Sequence, residues 1–258
     1  MSVQKSWDEL DKMHRANAIV VETLELLAQA AKPGVATKEL DRIALENIKK
    51  HGAKSAFLGY RGYPATLCIS VNEEVVHGIP GTRKLAEGDV VGLDLGCIVD
   101  GFYGDAARTV AVGKASPEAA RLMKVTEEAL RAGIDQCWPG KRIGDIGHAV
   151  QKHAEASGYS VVREFVGHGI GTNLHEEPQV PNYGPPGRRE RLVPGMCLAI
   201  EPMVNVGGPE VRVLEDDWTA VTVDGSLSAH FELSIAVTEQ GPWVLSEPFP
   251  YARQERHA

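Results

Sequence analysis

The chain repeats its own plan once, and this repeat limits the folds open to it. Helical spacing of apolar residues predicts a helix over residues 6–31 and a shorter one before Gly52. A second pair follows, one helix running from Ser116 to about Gln136 and another to about Ser157. The breaks are Pro33-Gly34 and Gly52 in the first half, and Pro139-Gly140 and Gly158 in the second, each 106 residues later.

Strand-like runs rich in Val and Ile lie between and after these helix pairs. The run around Asp94 resembles the run around Glu201, 107 residues further on. Two halves built of two helices and strands would share one antiparallel sheet, so we expect one α+β domain over residues 1–258 with a pseudo-twofold repeat. The predicted strands are LCISV, DVVGLDLG, TVAVG, VVREFVG, CLAIEPMV and HFELSIAVT.

Composition excludes several classes of protein. A formal net charge of -8 and the lack of a long basic run argue against binding to nucleic acid or an acidic membrane. The N-terminal segment lacks the apolar core of a signal peptide, and no run is long enough to span a bilayer, so we expect a cytoplasmic protein. The four cysteines are scattered and predicted to be reduced and mostly buried.

Acidic residues stand where buried strands should be apolar. A carboxylate in a low-dielectric core costs several kcal/mol unless it is paired or binds a metal. Arg108 and Arg212 are the only nearby arginines that could pair with these acids, and two divalent cations balance the charge more simply. The four acids are Asp94, Asp105, Glu201 and Glu232.

The stretch GHGIGTNLHEEP adds His168 and His175 in a segment too rich in glycine for a helix interior. Carboxylates with one or two imidazoles suit Mn, Fe, Co or Zn, which makes His168 the natural nitrogen ligand. His175 could bind metal or face a substrate. The sequence has no H-E-x-x-H, G-x-S-x-G, P-loop or G-x-G-x-x-G motif, so serine hydrolases and nucleotide-binding proteins have no support.

These motifs resemble the type I methionine aminopeptidases, which have the pseudo-twofold pita-bread fold, and the resemblance covers nearly the whole chain. It implies two metal ions, one chelated by Asp94 and the other by His168 and Glu201, with Asp105 and Glu232 bridging them. The motifs that carry these ligands are GLDLG, DGFYGD, GHGIG, IEPM and FELSIAVT.

The same resemblance implies roles for residues that bind no metal. His77, in CISVNEEVVHGIPG, and His175, in HEEP, would hold the scissile amide, while Glu201 would also shuttle a proton. The segment SAFLGYRGYPATLC resembles the family's methionine pocket, with Trp218 as another wall. The pocket residues are then Phe57, Tyr60, Tyr63, Cys68, His77, His175 and Trp218.

Three positions depart from the pattern. Phe57 stands where many bacterial members have cysteine, and Leu174 where many have phenylalanine, so the two changes could compensate each other or reshape the pocket mouth. Leu233 replaces a common histidine beside Glu232. We expect it to tune the surroundings of the ligand rather than to remove the metal.

The resemblance implies removal of the N-terminal methionine from nascent chains whose second residue is small. It also implies a monomer without an N-terminal extension. A transient ribosome contact would place such an enzyme near emerging chains, although the acidic charge gives it no support. The alternatives are a pita-bread enzyme acting on X-Pro bonds, such as a prolidase, and a pita-bread protein that binds partners without catalysis. A prolidase usually carries an extra N-terminal domain, and a non-catalytic relative usually lacks ligands.

Overall fold

Four helices, in two pairs, form one layer of the protein. The structure is a computed structural model, which describes residues 4–250. Each pair is a long helix followed by a shorter one, in the order that the repeat predicts. Within the described residues the helices are α1 (Trp7–Ala30), α2 (Thr37–Lys50), α3 (Pro117–Ile134) and α4 (Ile143–Ala156).

Side-chain caps begin the two long helices. Ser6 Oγ accepts a hydrogen bond from the Glu9 N–H, and the Glu9 carboxylate accepts one from the Ser6 N–H, which confirms the capping box read from the sequence. Ser116 caps α3 by accepting from the Ala119 N–H. Gly52 follows α2 with a φ of +70°, a conformation that stops the helix and favours glycine.

The strands form a second layer. Many are short, because loops and breaks divide the longer apolar runs. A single 3-10 turn, Tyr60–Gly62, also lies in the described part of the chain. The strands are β1 (Lys54–Ser55), β2 (Leu67–Val71), β3 (Glu74–Val76), β4 (Val90–Val99), β5 (Phe102–Ala111), β6 (Ser160–Val161), β7 (Gly167–Gly169), β8 (Glu176–Val180), β9 (Cys197–Ile200), β10 (Met203–Asn205), β11 (Val211–Val213), β12 (Ala220–Thr222), β13 (Ser228–His230), β14 (Glu232–Thr238) and β15 (Gly241–Val244).

One large antiparallel sheet joins the two halves. Its strands run in the order β1-β4-β5-β14-β9-β7-β8, with β2 also on β4 and β15 also on β14. The junction is the pairing of β5 with β14, where Ala107 lies opposite Glu232. Two smaller sheets, β13-β10-β6 and β11-β12-β3, complete the layer. The predicted α+β class with a shared pseudo-twofold sheet is confirmed.

Each helix pair packs its own apolar cluster against the sheet. Leu24 and Leu40 of α1 and α2 are buried with Leu93 of β4, and Leu130 and Ile146 of α3 and α4 are buried with residues of β9 and β14. At about 25 cal/mol for each Å² of apolar surface removed from water, such clusters are the main favourable contribution to folding. The helices therefore cover one face of the sheet and leave the other free for polar side chains.

Three predicted strands are shorter or broken. VVREFVG is not one strand, because the chain bends at residues 163–165 between β6 and β7. CLAIEPMV is interrupted at Pro202, which has no N–H for the ladder, so Glu201 lies just beyond β9 rather than inside a strand. HFELSIAVT divides at Phe231, since β13 pairs with β10 whereas β14 pairs with β5 and β9.

Candidate active site

The sheet register places three acids on one face. Ala107 of β5 lies opposite Asp94 on one side and opposite Glu232 on the other. Residues directly opposite one another in an antiparallel sheet point to the same face. Asp105 is two residues before Ala107 and therefore shares that face. The junction between the halves thus brings Asp94, Asp105 and Glu232 together.

The second half adds its predicted ligands through the same register. Ala199 of β9 lies opposite His168 of β7 and opposite Ser234 of β14. Ser234 is two residues after Glu232, so its neighbours across the sheet point the same way as that acid. Glu201 follows Ala199 by two residues. The residues predicted to bind metal therefore converge on one face.

The polar atoms at this point are close but do not hydrogen-bond to one another. His168 Nε2 lies 3.5 Å from Glu201 Oε1 and 4.0 Å from Asp105 Oδ2. Its Nδ1 lies 2.9 Å from the carbonyl oxygen of Gly169, which assigns the proton to Nδ1. The Nε2 lone pair then faces the acids, as a metal ligand requires.

Burial disfavours every charge at the site. It raises the pKa of Asp94 to about 7. Burial first, and then the neighbouring carboxylates, raise the pKa values of Asp105, Glu201 and Glu232 well above their usual range. Burial also lowers the pKa of His168 to about 3, with repulsion from His175 as a smaller cause. Without positive charge the site favours neutral side chains.

Residues at the site fit divalent cations. Within residues 4–250, the buried oxygens Asp94 Oδ1, Asp105 Oδ1 and Glu232 Oε1 have no hydrogen-bond partner. Neither Arg108 nor Arg212 forms an ion pair with these acids in that range, so arginine does not balance the charge. Ligand atoms of Asp105, His168 and Glu232 lie within 4.8 Å of one another. Oxygens that lack donors, beside a neutral imidazole, are the donor set that Mn, Fe, Co or Zn prefers.

A cavity of about 170 Å³ opens onto these residues. That volume is below the usual range for drug-sized ligands and suits one amino-acid side chain. A larger cavity of about 490 Å³, beside Lys5 and Gly195, contains none of the four acids. The smaller cavity is lined by every residue that the sequence predicted for the site, together with Arg61 and Leu174: Phe57, Tyr60, Tyr63, Cys68, His77, Asp94, Asp105, His168, His175, Glu201, Trp218 and Glu232.

His175 lies at the mouth of this cavity. Its Nδ1 is 2.8 Å from the hydroxyl of Tyr60, and the two rings stack with centroids 5.4 Å apart. The ring centroid of His168 is 4.2 Å away. Burial lowers the pKa of His175, with repulsion from Arg61 as a smaller cause, so a neutral ring is favoured. Tyr60 thus fixes an imidazole beside His168 and the acids.

His77 approaches from the first half, just after β3. Its φ of +63° is uncommon for a residue with a side chain. The centroid of its ring lies 5.3 Å from that of Phe165 and 6.3 Å from that of Trp218. Gly78 holds this turn against β2, because a Cβ there would lie 2.0 Å from the carbonyl oxygen of Ile69. Burial lowers the pKa of His77 to about 4.

The remaining wall is apolar. Tyr63 donates hydrogen bonds to the carbonyl oxygens of Leu67 and Gly78, and its ring meets Trp218 edge to face at 5.0 Å. Cys68 is buried opposite Asp94, and burial raises the pKa of its thiol. Phe57 packs over Gly96, where a Cβ would lie 2.8 Å from its ring. These contacts build a largely apolar pocket next to the acids.

The three departures have different places. Phe57 and Leu174 belong to one buried cluster beside the cavity, so a larger residue at one position and a smaller one at the other share the same space. Leu233 follows Glu232 and points to the opposite face of β14, where it packs against both helix-side clusters. It is therefore separated from the buried acids by the sheet.

Sequence reasoning missed two residues. His230 is 3 % exposed, and its Nε2 lies 3.9 Å from Glu201 Oε2. Burial lowers its pKa to about 3, with repulsion from His77 as a smaller cause. Arg61 places its guanidinium 5.4 Å from the ring centre of Tyr60. A signal existed for His230, since an imidazole in an apolar run raises the same question as a carboxylate there.

A family model for metallopeptidases, family M24, matches residues 11–239. The chain belongs to metallopeptidase family M24. The fold and the cluster of carboxylates and imidazoles agree with this membership, and M24 metallopeptidases of the methionine aminopeptidase type use divalent metals. The expected use of divalent metal is thus confirmed.

Individual M24 proteins resemble the chain over its length. A curated methionine aminopeptidase of Clostridium acetobutylicum is 52% identical over 247 residues, which cover 95% of this chain and 99% of that protein. A crystal structure of methionine aminopeptidase from Thermotoga maritima superposes with a TM-score of 0.94 at 46% identity, covering 96% of this chain and 100% of that one. These relatives favour the methionine aminopeptidase branch of the M24 family.

A more distant M24 structure shows how far the fold extends. The prolidase of Pyrococcus horikoshii superposes with a TM-score of 0.77 at 20% identity, covering 96% of this chain but 64% of the prolidase. This likeness shows the shared fold alone, and the X-Pro alternative is not favoured.

Among the described residues, no helix combines the length and the apolar character that crossing a membrane requires.

Proposed function

We propose that this chain is a metal-dependent methionine aminopeptidase, which removes the N-terminal methionine of peptides and nascent proteins when the second residue is small. The observation that carries the proposal is the convergence of the acids, His168, His77 and His175 on one small apolar-walled cavity. The relatives that match nearly the whole chain at about half identity support the same activity.

The proposed metal ligands are the residues read from the sequence. Asp94 would hold one ion, His168 and Glu201 the other, and Asp105 and Glu232 both. When bound, the two ions supply Lewis acidity, which activates water and polarises the peptide carbonyl. Their positive charge also offsets the desolvation of the carboxylates, so these groups would be ionised in the loaded protein.

The protein's own groups would position the substrate and move protons. Glu201 would accept a proton at a carboxylate oxygen and return it to the leaving amine. His175, fixed at Nδ1 by Tyr60, would present Nε2 to the scissile amide. His77 would contact the same amide from the opposite wall, beside Trp218.

The pocket would select the side chain. Tyr63, Trp218, Phe57 and Leu174 present apolar surface, and Cys68 adds a polarisable thiol. A thioether packs well against aromatic rings, at about 0.3–1.5 kcal/mol for each contact. A cavity of about 170 Å³ leaves space for one side chain rather than an extended segment, which suits an exopeptidase.

The wider setting is part of the proposal. We propose that residues 1–258 form one catalytic domain with a pseudo-twofold repeat, and that it works as a cytoplasmic monomer. Light scattering after size-exclusion chromatography would measure the mass. A transient ribosome contact would bring nascent chains to the cavity, and co-sedimentation with ribosomes at two salt concentrations tests it.

The decisive experiment uses metal-depleted protein and two peptides, one beginning Met-Ala-Ser and one beginning Ala-Pro. Mn, Fe, Co or Zn is added in turn, and free amino acids are measured. We expect methionine release that needs metal and stops with chelator. Cleavage only before proline would move the chain to the X-Pro peptidases, and no cleavage with any metal would favour a binding protein. His175→Gln and His148→Gln serve as the site variant and its matched control, since His148 is on α4 outside the cavity.

A further inference from the structure

The side chain of His230 places a buried nitrogen near two of the proposed metal ligands. Its Nε2 lies 3.9 Å from Glu201 Oε2 and 4.0 Å from Glu232 Oε2. Within residues 4–250 this nitrogen has no hydrogen-bond partner, and the side chain is 4% exposed. Donor atoms of the three residues lie within 4.8 Å of one another. His230 itself is not among the five ligands proposed above.

The backbone fixes His230 firmly. Its N–H donates to Thr109 Oγ1 at 2.9 Å, and the same hydroxyl donates to the His230 carbonyl oxygen at 2.8 Å. His230 also pairs with Met203 at the end of β13. Because Phe231 lies between the end of β13 and the start of β14, His230 and Glu232 belong to different sheets. Their side chains nevertheless converge. The hydrogen bonds with Thr109 and the pairing with Met203 therefore orient the imidazole towards Glu201 and Glu232.

The distances match a shared cation better than a hydrogen bond. Hydrogen bonds from a ring nitrogen to oxygen span about 2.7–3.2 Å, and both N···O distances here are longer. Two donors, each about 2.1 Å from one ion, lie roughly 3.4 Å apart in a tetrahedral site and up to about 4.2 Å apart when opposite each other. The spacing between Glu201 Oε1 and His168 Nε2, 3.5 Å, falls in the same range.

We propose that His230 is a further metal ligand, coordinating through Nε2 the ion held by Glu201 and Glu232. This inference rests on the metal centre of the proposed function and goes beyond its five ligands. His168 and His230 lie on either side of Glu201, one facing Oε1 and the other Oε2. A second imidazole makes the centre richer in nitrogen, and nitrogen ligands favour Co or Zn over Mn more than carboxylates do.

The first measurement is made on unaltered protein. Metal-depleted full-length chain is loaded with Co(II) at up to two ions per chain, and X-ray absorption at the cobalt edge counts the bound imidazoles. Two imidazoles per chain are expected. One imidazole would overturn the proposal, including the case in which His230 only orients Glu201. The result does not depend on peptide cleavage, so it is independent of whether the proposed function succeeds.

Variants then identify the nitrogen. His230→Gln keeps much of the side-chain volume, His230→Ala removes the ring, and His148→Gln is the control. We expect Co(II) affinity, measured by competition with a chromophoric chelator, to fall about tenfold or more in both site variants. Mn(II) affinity should fall less. Circular dichroism of the metal-depleted proteins checks the fold, and unchanged Co(II) affinity and visible spectrum in His230→Gln would overturn the proposal.

Failure of this inference and failure of the proposed function give different results. If Co(II) protein has one imidazole but releases methionine, the peptidase proposal stands and His230 is not a ligand. If it has two imidazoles and cleaves neither peptide, His230 is a ligand in a protein of another activity.

Discussion

Lys5 donates a hydrogen bond to Glu176, and this buried pair joins the segment before α1 to the first residue of β8, next to His175. The side chains are 3% and 12% exposed. The other carboxylate oxygen of Glu176 accepts from the N–H groups of Thr172 and Asn173. The Lys5 N–H itself donates to the Gly195 carbonyl oxygen. The beginning of the described chain thus holds the rim of the cavity.

Breaking this pair should therefore harm both stability and substrate handling. Lys5→Met leaves the Glu176 charge buried, and we expect a loss of roughly 3–5 kcal/mol in the free energy of unfolding, as for other broken buried pairs. In the fraction that stays folded, kcat/KM should fall while metal content is unchanged. Arg15→Met breaks an exposed pair with Asp100 and should cost about 0–1 kcal/mol. Equal losses in urea unfolding of the two variants would contradict this role.

Tyr60→Phe should weaken catalysis without changing metal binding. The variant removes the hydroxyl that fixes His175 Nδ1 and keeps the stacked ring. Loss of one hydrogen bond of this kind corresponds to about 0.5–1.5 kcal/mol, or roughly a 2- to 13-fold drop in kcat/KM. Tyr103→Phe, at another tyrosine packed against the same cluster, is the control. A drop in kcat/KM of the same size in Tyr103→Phe would show that the loss comes from altered packing rather than from the hydrogen bond to His175.

Asp105→Ala should abolish turnover and lower metal occupancy, since it removes a carboxylate proposed to hold both ions. Losing a ligand should reduce metal affinity by roughly 100-fold or more. The metal-depleted fold should survive, because an unpartnered buried oxygen is removed. Elemental analysis and peptide cleavage measure the two effects, with Asp135→Asn at the end of α3 as control. Turnover at the unaltered rate would disprove the two-metal assignment.

The metal-depleted protein should become less stable as pH rises above about 6.5. Below that pH the unfolded chain protonates His77, His168 and His230 while the folded protein does not, which has the opposite effect on stability. Burial raises the pKa of Asp94 from 3.8 to about 7 in the folded state. Between those values the folded protein keeps a proton on Asp94 that the unfolded chain has lost, so the contribution of this group to the free energy of unfolding falls with rising pH. The effect is complete above the folded-state pKa.

Added metal should reverse that slope, because the ions bind ionised carboxylates and release their protons. Urea unfolding between about pH 5 and pH 8, with chelator or with metal, measures both cases. Asp94→Asn should make the metal-free fall shallower, because Asp105, Glu201 and Glu232, whose pKa values burial also raises, still contribute. A metal-free protein that gains stability between about pH 6.5 and pH 8 would contradict the burial argument.

The chain's own start offers a test of specificity. Met1 is followed by Ser2, a small residue, although both lie outside the described residues. If the enzyme removes methionine before a small residue, the intact mass of this protein purified from cells should show that Met1 is absent. Ser2→Leu should retain it, because a large second residue does not meet the rule. Retained Met1 in the unaltered protein would count against this specificity.

Local signals allowed the helices and much of the site to be predicted. Ser6 with Glu9, and Ser116 with Pro117, are caps that act within a few residues, so the sequence alone locates those helix starts. Asp94 was conspicuous because a carboxylate interrupts an apolar strand. The family resemblance supplied the roles of His77 and His175, which neighbouring residues alone did not distinguish.

Distant contacts explain what the sequence did not reveal. The bend after β6 depends on Val162 donating to the Met203 carbonyl oxygen, a contact between residues far apart in the chain. The place of His230 depends on Thr109, which is 121 residues away. Periodicity reports which face of a strand is buried but not which distant strand will lie beside it.

In the strand order β4-β5-β14-β9, the two strands of the first half mirror the two strands of the second half about the β5–β14 junction. Asp94 and Asp105 belong to the first half, and Glu201 and Glu232 to the second. A chain of half this length would offer too few donors to enclose an ion. Two identical copies joined along the strand equivalent to β5 would form a twofold dimer with four carboxylates at its axis. In this chain the pairing of β5 with β14 takes the place that a subunit interface would have in such a dimer, so the proposed metal site lies at the junction of the two halves.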